Sequence, residues 1–151
     1  RDLLSYLRTP ETLDQRGLTV SLEQLFDNMR LQTTTGIVWE IDSKVEACLT
    51  SEAKVALYRM VREAVQNSLK HARAQRVAIR LGVNDGRVVF SVQDDGQGFE
   101  IHSALKSGGK GYSSLQDMRI YIESTGGKLD ILSSPGKGTV IQGWTPTLSG
   151  L

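Results

Sequence analysis

Apolar positions recur along the chain with two periods. After Gly17, Leu18, Leu22, Leu25, Phe26 and Met29 return at helical spacing, predicting an amphipathic helix with Gly36 as its stop. "IVWEI" then puts Ile37, Trp39 and Ile41 on one side, as a half-buried strand does. From Ser51, read as the N-cap, to about Ala74 the helical period returns. Ala53, Ala56, Leu57, Met60, Val61, Ala64, Val65, Ser68 and Ala72 form its broad inner face. "VAIRLGV" and "VVFSV" alternate around "NDG" at 84–86, a hairpin signal. A glycine-rich stretch, "SGGKG" at 107–111, leads to a helix from about Ser113 to Thr125 that Gly126 and Gly127 end. "KLDILSS" and "GTVIQGW" make a last hairpin across "PGKG". Strands joined by short turns and interleaved with helices predict an α+β fold. It is a two-layer sandwich, with a mixed, mostly antiparallel sheet and helices on one face.

Composition narrows the classes. A chain of 151 residues with 39% hydrophobic positions suits one domain with a real core. The 18 Lys and Arg nearly cancel the 17 Asp and Glu, so no global basic field argues for nucleic acid, and phosphate recognition would have to be local. The single cysteine, Cys48, closes no internal disulfide, and no Cys/His set has zinc spacing. No apolar run approaches the roughly 20 residues of a membrane span. The opening "RDLLSYLRTPETL" reads as the end of a helix belonging to something larger.

Three stretches carry chemistry. In "YRMVREAVQNSLKHARA", Glu63, Asn67, Lys70 and His71 project from one side of the helix beside its apolar face. Carboxylate, carboxamide, ammonium and imidazole on one stripe can hold a hydrated divalent cation and the phosphates it bridges, although a solvated helix face would look the same. In "DDGQGF" a carboxylate at a strand end can accept from an exocyclic amine such as adenine N6, while glycines let a flat base approach. An ordinary glycine turn is the alternative. "GGKG" ahead of a helix offers backbone N–H groups to an anion, and Thr139 adds a hydroxyl at the start of a late strand.

In order and spacing, "REAVQNSLKHA", "DDGQGF", "GGKG" and "SSPGKGT" resemble the N box, the two glycine boxes and the closing Gly-Thr element of the GHKL ATP-binding fold. "LYRMVREAVQNSLKHA" is most similar to sensor histidine kinases of the nitrate-sensor and DesK-like group, which pair with NarL-type response regulators. The likeness spans roughly residues 18–146. It implies ATP and Mg²⁺ as cofactors, with Asn67 ligating the metal and Glu63 beside it as a catalytic, water- or metal-positioning acid. Lys70 and His71 would face the phosphates. Asp94 would accept from adenine N6, Gly96 and Gly98 would shape the base pocket, and Asp95 would be solvated. Gly109, Lys110 and Gly111 would wrap the phosphates, Thr139 would close the adenine side, and Phe99 to Gly109 would form a short lid. Two features depart from the family: Tyr112 stands where Leu is usual, and Gly126-Gly127 falls about one helical turn late. Those shifts imply a longer helix or an insertion in the loop.

The resemblance implies transfer of the ATP γ-phosphoryl to a histidine on an adjoining dimerisation domain, then to a response regulator. The two histidines here, His71 and His102, belong to the N box and the lid, so the acceptor is expected elsewhere. Residues 1–16 are read as the end of the dimerisation helix and linker, 17–148 as the catalytic and ATP-binding domain, and 149–151 as a tail. The implied setting is a cytoplasmic domain of a homodimeric kinase that makes no direct contact with nucleic acid, with a membrane anchor on the whole protein left open. A serine kinase of the anti-sigma type and a non-catalytic docking module are the other readings.

Overall fold

The structure is a computed structural model describing residues 11–71, 73–100 and 110–150, apart from the side chains of 11, 12, 71, 110–113 and 150. In chain order the elements are α1 (Glu11–Arg30), β1 (Gly36–Ile41), α2 (Val45–Cys48), α3 (Ser51–His71), β2 (Arg76–Asn84), β3 (Arg87–Asp94), α4 (Lys110–Glu123), β4 (Lys128–Ser133), β5 (Thr139–Pro146) and a 3₁₀ turn (Leu148–Gly150). The five strands form one sheet in the order β1-β2-β3-β5-β4. β1 runs parallel to β2, and the remaining pairs are antiparallel. The expected α+β sandwich with a mixed, mostly antiparallel sheet is the observed one.

Alternation sets the faces of the sheet. Val77, Ile79 and Leu81 on β2, and Val88, Phe90, Val92 and Asp94 on β3, are buried, while Arg76, Arg80, Arg87 and Gln93 between them are exposed. On the buried side lie Leu57, Met60, Val61, Ala64 and Val65 of α3, Leu115, Met118 and Ile122 of α4, and Leu18, Leu22 and Phe26 of α1. Each fully buried Leu, Met, Val, Ile or Phe among them contributes about 1.5–3 kcal/mol of transfer free energy, so these three helix faces fix the sandwich.

Local chemistry explains most element ends. The β2–β3 hairpin turns on Asp85 (φ 50°) and Gly86 (φ 74°), both left-handed, as a two-residue type I′ turn requires. At the end of α4 the Gly126 N–H reaches Glu123 O and the Gly127 N–H reaches Ile122 O, which is a Schellman closure with Gly126 at φ 87°.

Several boundaries differ from expectation. Helix α1 ends at Arg30, and Gly36 is not its stop but the first residue of β1, where its N–H donates to Gln75 O. The N-cap of α3 is Thr50 rather than Ser51, because Thr50 Oγ1 accepts from the Ala53 N–H. The four-residue α2 went unpredicted, being too short to show a period. Helix α4 starts at Lys110, three residues before Ser113, and its last residue is Glu123.

Helix α1 is broken at Gly17 (φ 90°, ψ 179°). The N–H groups of Leu18 and Thr19, opening the second half, donate to the two carboxylate oxygens of Glu46 on α2 at 3.0 and 2.9 Å. Glu46 thus caps a helix 27 residues away in sequence from Thr19. A Cβ at position 17 would lie 2.6 Å from its Oε2. Among the described residues no helix is long and apolar enough to cross a membrane.

Candidate nucleotide site

Asp94 is the last residue of β3 and points to the helix-covered side of the sheet, only 6% exposed. A carboxylate there must be hydrogen-bonded to be tolerated. The Ser68 hydroxyl of α3 donates to its Oδ2 at 2.6 Å, and the Gly96 N–H donates to its Oδ1 at 2.9 Å. Across the β3–β5 ladder its register partner is Thr139, also buried, whose Oγ1 lies 2.8 Å from Ser133 Oγ. One strand end therefore gathers a carboxylate and three hydroxyls.

The "DDGQG" stretch is held from both sides. Asp95 is exposed, yet its Oδ1 accepts from the N–H groups of Gln75 at 2.8 Å and Arg76 at 3.0 Å. The Arg76 N–H is the main reason its carboxyl sits below the ordinary aspartate value, partly offset by desolvation and reinforced by Gln75. Asp95 is thus more than a solvated position, because it closes the connection into β2. On the other side Gly136 N–H donates to Gln97 O at 2.6 Å, and Phe99 N–H donates to Ser133 Oγ at 2.9 Å. Gly98 is left-handed (φ 64°), and a Cβ on it would lie 2.2 Å from Ser134 O. Close approach of the β4–β5 turn is what demands glycine at that position.

Glu63 and Asn67 lie half-buried on α3, four residues apart, beside the first turns of α4. Ser114 of α4 joins them. Asn67 Nδ2 donates to Ser114 Oγ at 2.8 Å, and Ser114 Oγ donates to Glu63 Oε1 at 2.6 Å. Since Ser68 follows Asn67 directly, one turn of α3 touches both the Asp94 strand end and α4. Lys70 is exposed near the end of α3 and His71 closes it, the His71 side chain lying outside the described residues. Lys110 and Gly111 are the first two residues of α4, so their backbone sits at its N-terminus, and Gly109, His102 and most of the expected lid lie outside the described residues. The structure thus brings together Asn67, Glu63, Asp94, Gly96, Gly98 and Thr139. Reading the sequence missed Ser68 and Ser114. Ser68 did carry one signal, a hydroxyl on an otherwise apolar face, which has to find a partner once buried.

A two-layer α+β sandwich with a buried, hydrogen-bonded carboxylate at a strand end and an Asn/Glu pair on the adjoining helix defines the class as an ATP-binding domain of the GHKL kind. The chain belongs to the histidine kinase-, DNA gyrase B-, and HSP90-like ATPase family, whose family model matches residues 52–149. Among curated relatives it is 38% identical over 149 residues to an uncharacterized sensor-like histidine kinase of Chloroflexus aurantiacus, covering 97% of this chain and 25% of that protein. It is 32% identical over 142 residues to the sensor histidine kinase LiaS of Bacillus subtilis, covering 94% and 37%. The chain therefore spans between a quarter and two fifths of the length of these relatives. Among solved structures, the blue-light activated histidine kinase EL346 of Erythrobacter litoralis shares the fold with a TM-score of 0.70 at 21% identity, over 85% of this chain and 41% of that one.

Proposed function

We propose that this chain is the catalytic and ATP-binding domain of a sensor histidine kinase. It would deliver the γ-phosphoryl of ATP to a histidine on an adjoining dimerisation domain, from which a NarL-type response regulator takes it. The observation that carries the reading is Asp94, a carboxylate kept buried at a strand end by Ser68 and the Gly96 N–H. A carboxylate offers about four acceptor positions, so two donors do not exhaust it, and a purine amine is a fitting third. The relatives, sensor histidine kinases, favour a histidine over a serine acceptor.

In this reading Asp94 selects adenine through its exocyclic amine, and Thr139, opposite it in the ladder, closes the same side. Gly96 and Gly98 keep the strand end low enough for a flat base. Asn67 offers its carboxamide oxygen to a metal, with Glu63 holding water beside it. Mg²⁺ usually keeps several waters and takes one or two protein oxygens plus substrate phosphates, and this pair fits that donor set. When bound, Mg²⁺ would neutralise charge on the phosphates. Lys70, His71, Gly109, Lys110 and Gly111 would surround those phosphates, the last two at the positive end of α4. The chain's own share of catalysis is then positioning, because phosphoryl transfer asks for little covalent chemistry from the protein.

In this reading residues 1–16 would be the approach from a dimerisation helix and residues 17–148 the domain itself. The whole kinase would be a homodimer with this domain in the cytoplasm. Titration calorimetry with a non-hydrolysable ATP analogue tests the reading: Mg²⁺-dependent binding is expected, and the absence of both binding heat and a thermal shift would overturn it. Labelled phosphate appearing on a histidine of the supplied dimerisation domain would separate a working kinase from a docking module.

A further inference from the structure

We propose that Ser114 is a positioning residue for the cation-binding edge of the nucleotide site, an inference that rests on the reading of Asn67 and Glu63 given above. Ser114 is 7% exposed and sits in the second turn of α4, 47 residues from Asn67 and 51 from Glu63. Its hydroxyl has one proton, and that proton goes to Glu63 Oε1 at 2.6 Å. A carboxylate only accepts, so the direction of this bond is fixed, and a charge-assisted bond of this length is roughly twice as strong as a neutral one. With its proton committed, Ser114 Oγ can only accept from Asn67. It does so from Nδ2 at 2.8 Å.

The sense of the Asn67 carboxamide follows. Turned over, Asn67 would set its oxygen against an oxygen with no proton left to share. Ser114 therefore presents Asn67 in the one orientation that directs Oδ1 away from the hydroxyl, as a ligand oxygen, and holds Glu63 alongside. A hydroxyl is the smallest side-chain group that can accept from an amide and donate to a carboxylate at once, so neither Ala nor Cys substitutes for it well. Because Ser114 rides on α4, which begins at Lys110 in the glycine-rich stretch, the same bonds couple the start of that helix to the Asn67 turn of α3.

The test compares the wild-type chain with Ser114→Ala and Ser114→Cys by calorimetric titration of a non-hydrolysable ATP analogue, each with and without Mg²⁺. Removing a residue that orients a metal ligand typically weakens metal affinity 10- to 100-fold. The expected result is a loss of about tenfold in the Mg²⁺-dependent gain in affinity in both variants, with Mg²⁺-free affinity within about twofold of wild type. A purely structural role would lower both affinities alike. Equal losses with and without Mg²⁺, or an intact Mg²⁺ gain in either folded variant, overturn the proposal. If the wild-type chain itself shows no Mg²⁺-dependent binding, the underlying reading of Asn67 falls first and this one with it.

Discussion

The Ser68 hydroxyl donates to Asp94 Oδ2 at 2.6 Å, and that single bond joins the helix bearing Asn67 to the strand end bearing the acidic pair. Asn67 and the partner of Asp94 are thus adjacent residues of α3, although Ser68 and Asp94 are 26 positions apart in sequence.

Asp94→Asn should abolish adenine nucleotide binding. Both carboxylate oxygens already accept, one from Ser68 and one from the Gly96 N–H. An asparagine can keep Oδ1 on the Gly96 N–H while the Ser68 hydroxyl turns to accept from Nδ2, so the strand end stays paired but one of its two acceptor atoms becomes a donor that repels the adenine amine. The unliganded variant should therefore melt close to wild type while losing the nucleotide. Ser68→Ala should do the reverse, lowering the midpoint by leaving the buried carboxylate one donor short, yet retaining measurable binding because the carboxylate survives. Calorimetry and thermal melts on the two variants check both statements.

Asp95 should behave differently. Its Oδ1 accepts from two backbone N–H groups, and asparagine keeps an oxygen able to do the same, so Asp95→Asn should fold and bind nucleotide. Asp95→Ala removes the acceptor and should lower the melting midpoint while leaving nucleotide affinity within about twofold, since no hydrogen bond of this side chain reaches the Asp94 side. A loss of binding in Asp95→Asn equal to that in Asp94→Asn would show the motif to be read one residue out of register.

The features legible in the sequence were those with a local signal. Period-two runs marked β2, β3 and β5, the 3.6 period marked α3, and Asp85-Gly86 marked the hairpin between β2 and β3. Asn67, Glu63, Asp94 and Thr139 stood out because residue type and order along the chain carry their chemistry. The partners that orient them did not. Ser68 to Asp94, Ser114 to Asn67 and Glu46 to Thr19 span 26, 47 and 27 residues, and only the tertiary fold brings such pairs together. Boundaries failed where a neighbouring residue could serve equally well, as with Thr50 beside Ser51. Gly98 was legible as a glycine but not for its reason, since the approach of Ser134 O belongs to a turn 36 residues on.

That approach yields a contrast between two glycines. Gly98 and Gly136 are both left-handed, at φ 64° and 79°, a conformation costing an L-residue roughly 1–2 kcal/mol. A Cβ at 136 meets nothing within 4 Å, whereas one at 98 lies 2.2 Å from a backbone oxygen that cannot move without distorting the β4–β5 turn. Gly136→Ala should therefore cost only that roughly 1–2 kcal/mol. Gly98→Ala should cost clearly more and also weaken nucleotide binding, since it pushes the turn off the Asp94 strand end. Urea denaturation of the two variants gives the comparison directly.

Glu46 supplies the pH prediction. Partial burial works against its ionisation, but the N–H groups of Thr19 and Leu18 and the Lys54 ammonium 3.0 Å away outweigh it, holding its carboxyl below the ordinary glutamate value. A group whose folded-state pKa is depressed contributes stability that is complete above its unfolded pKa and is lost as pH falls through the folded value. The cap it gives α1 should thus be intact at pH 7 and fade on acidification below the usual glutamate range of about 4.3. Glu46→Gln, which keeps one oxygen to accept but no charge, should lower stability at neutral pH by about 0.5–2 kcal/mol, the worth of a helix cap. The gap between wild type and variant should then narrow as pH falls through the acid range. Denaturant midpoints of both proteins at pH 7, 5, 4 and 3 measure it, and a gap that stays constant or widens toward pH 3 would show that the charge of Glu46 plays no part in holding the helix that begins at Leu18.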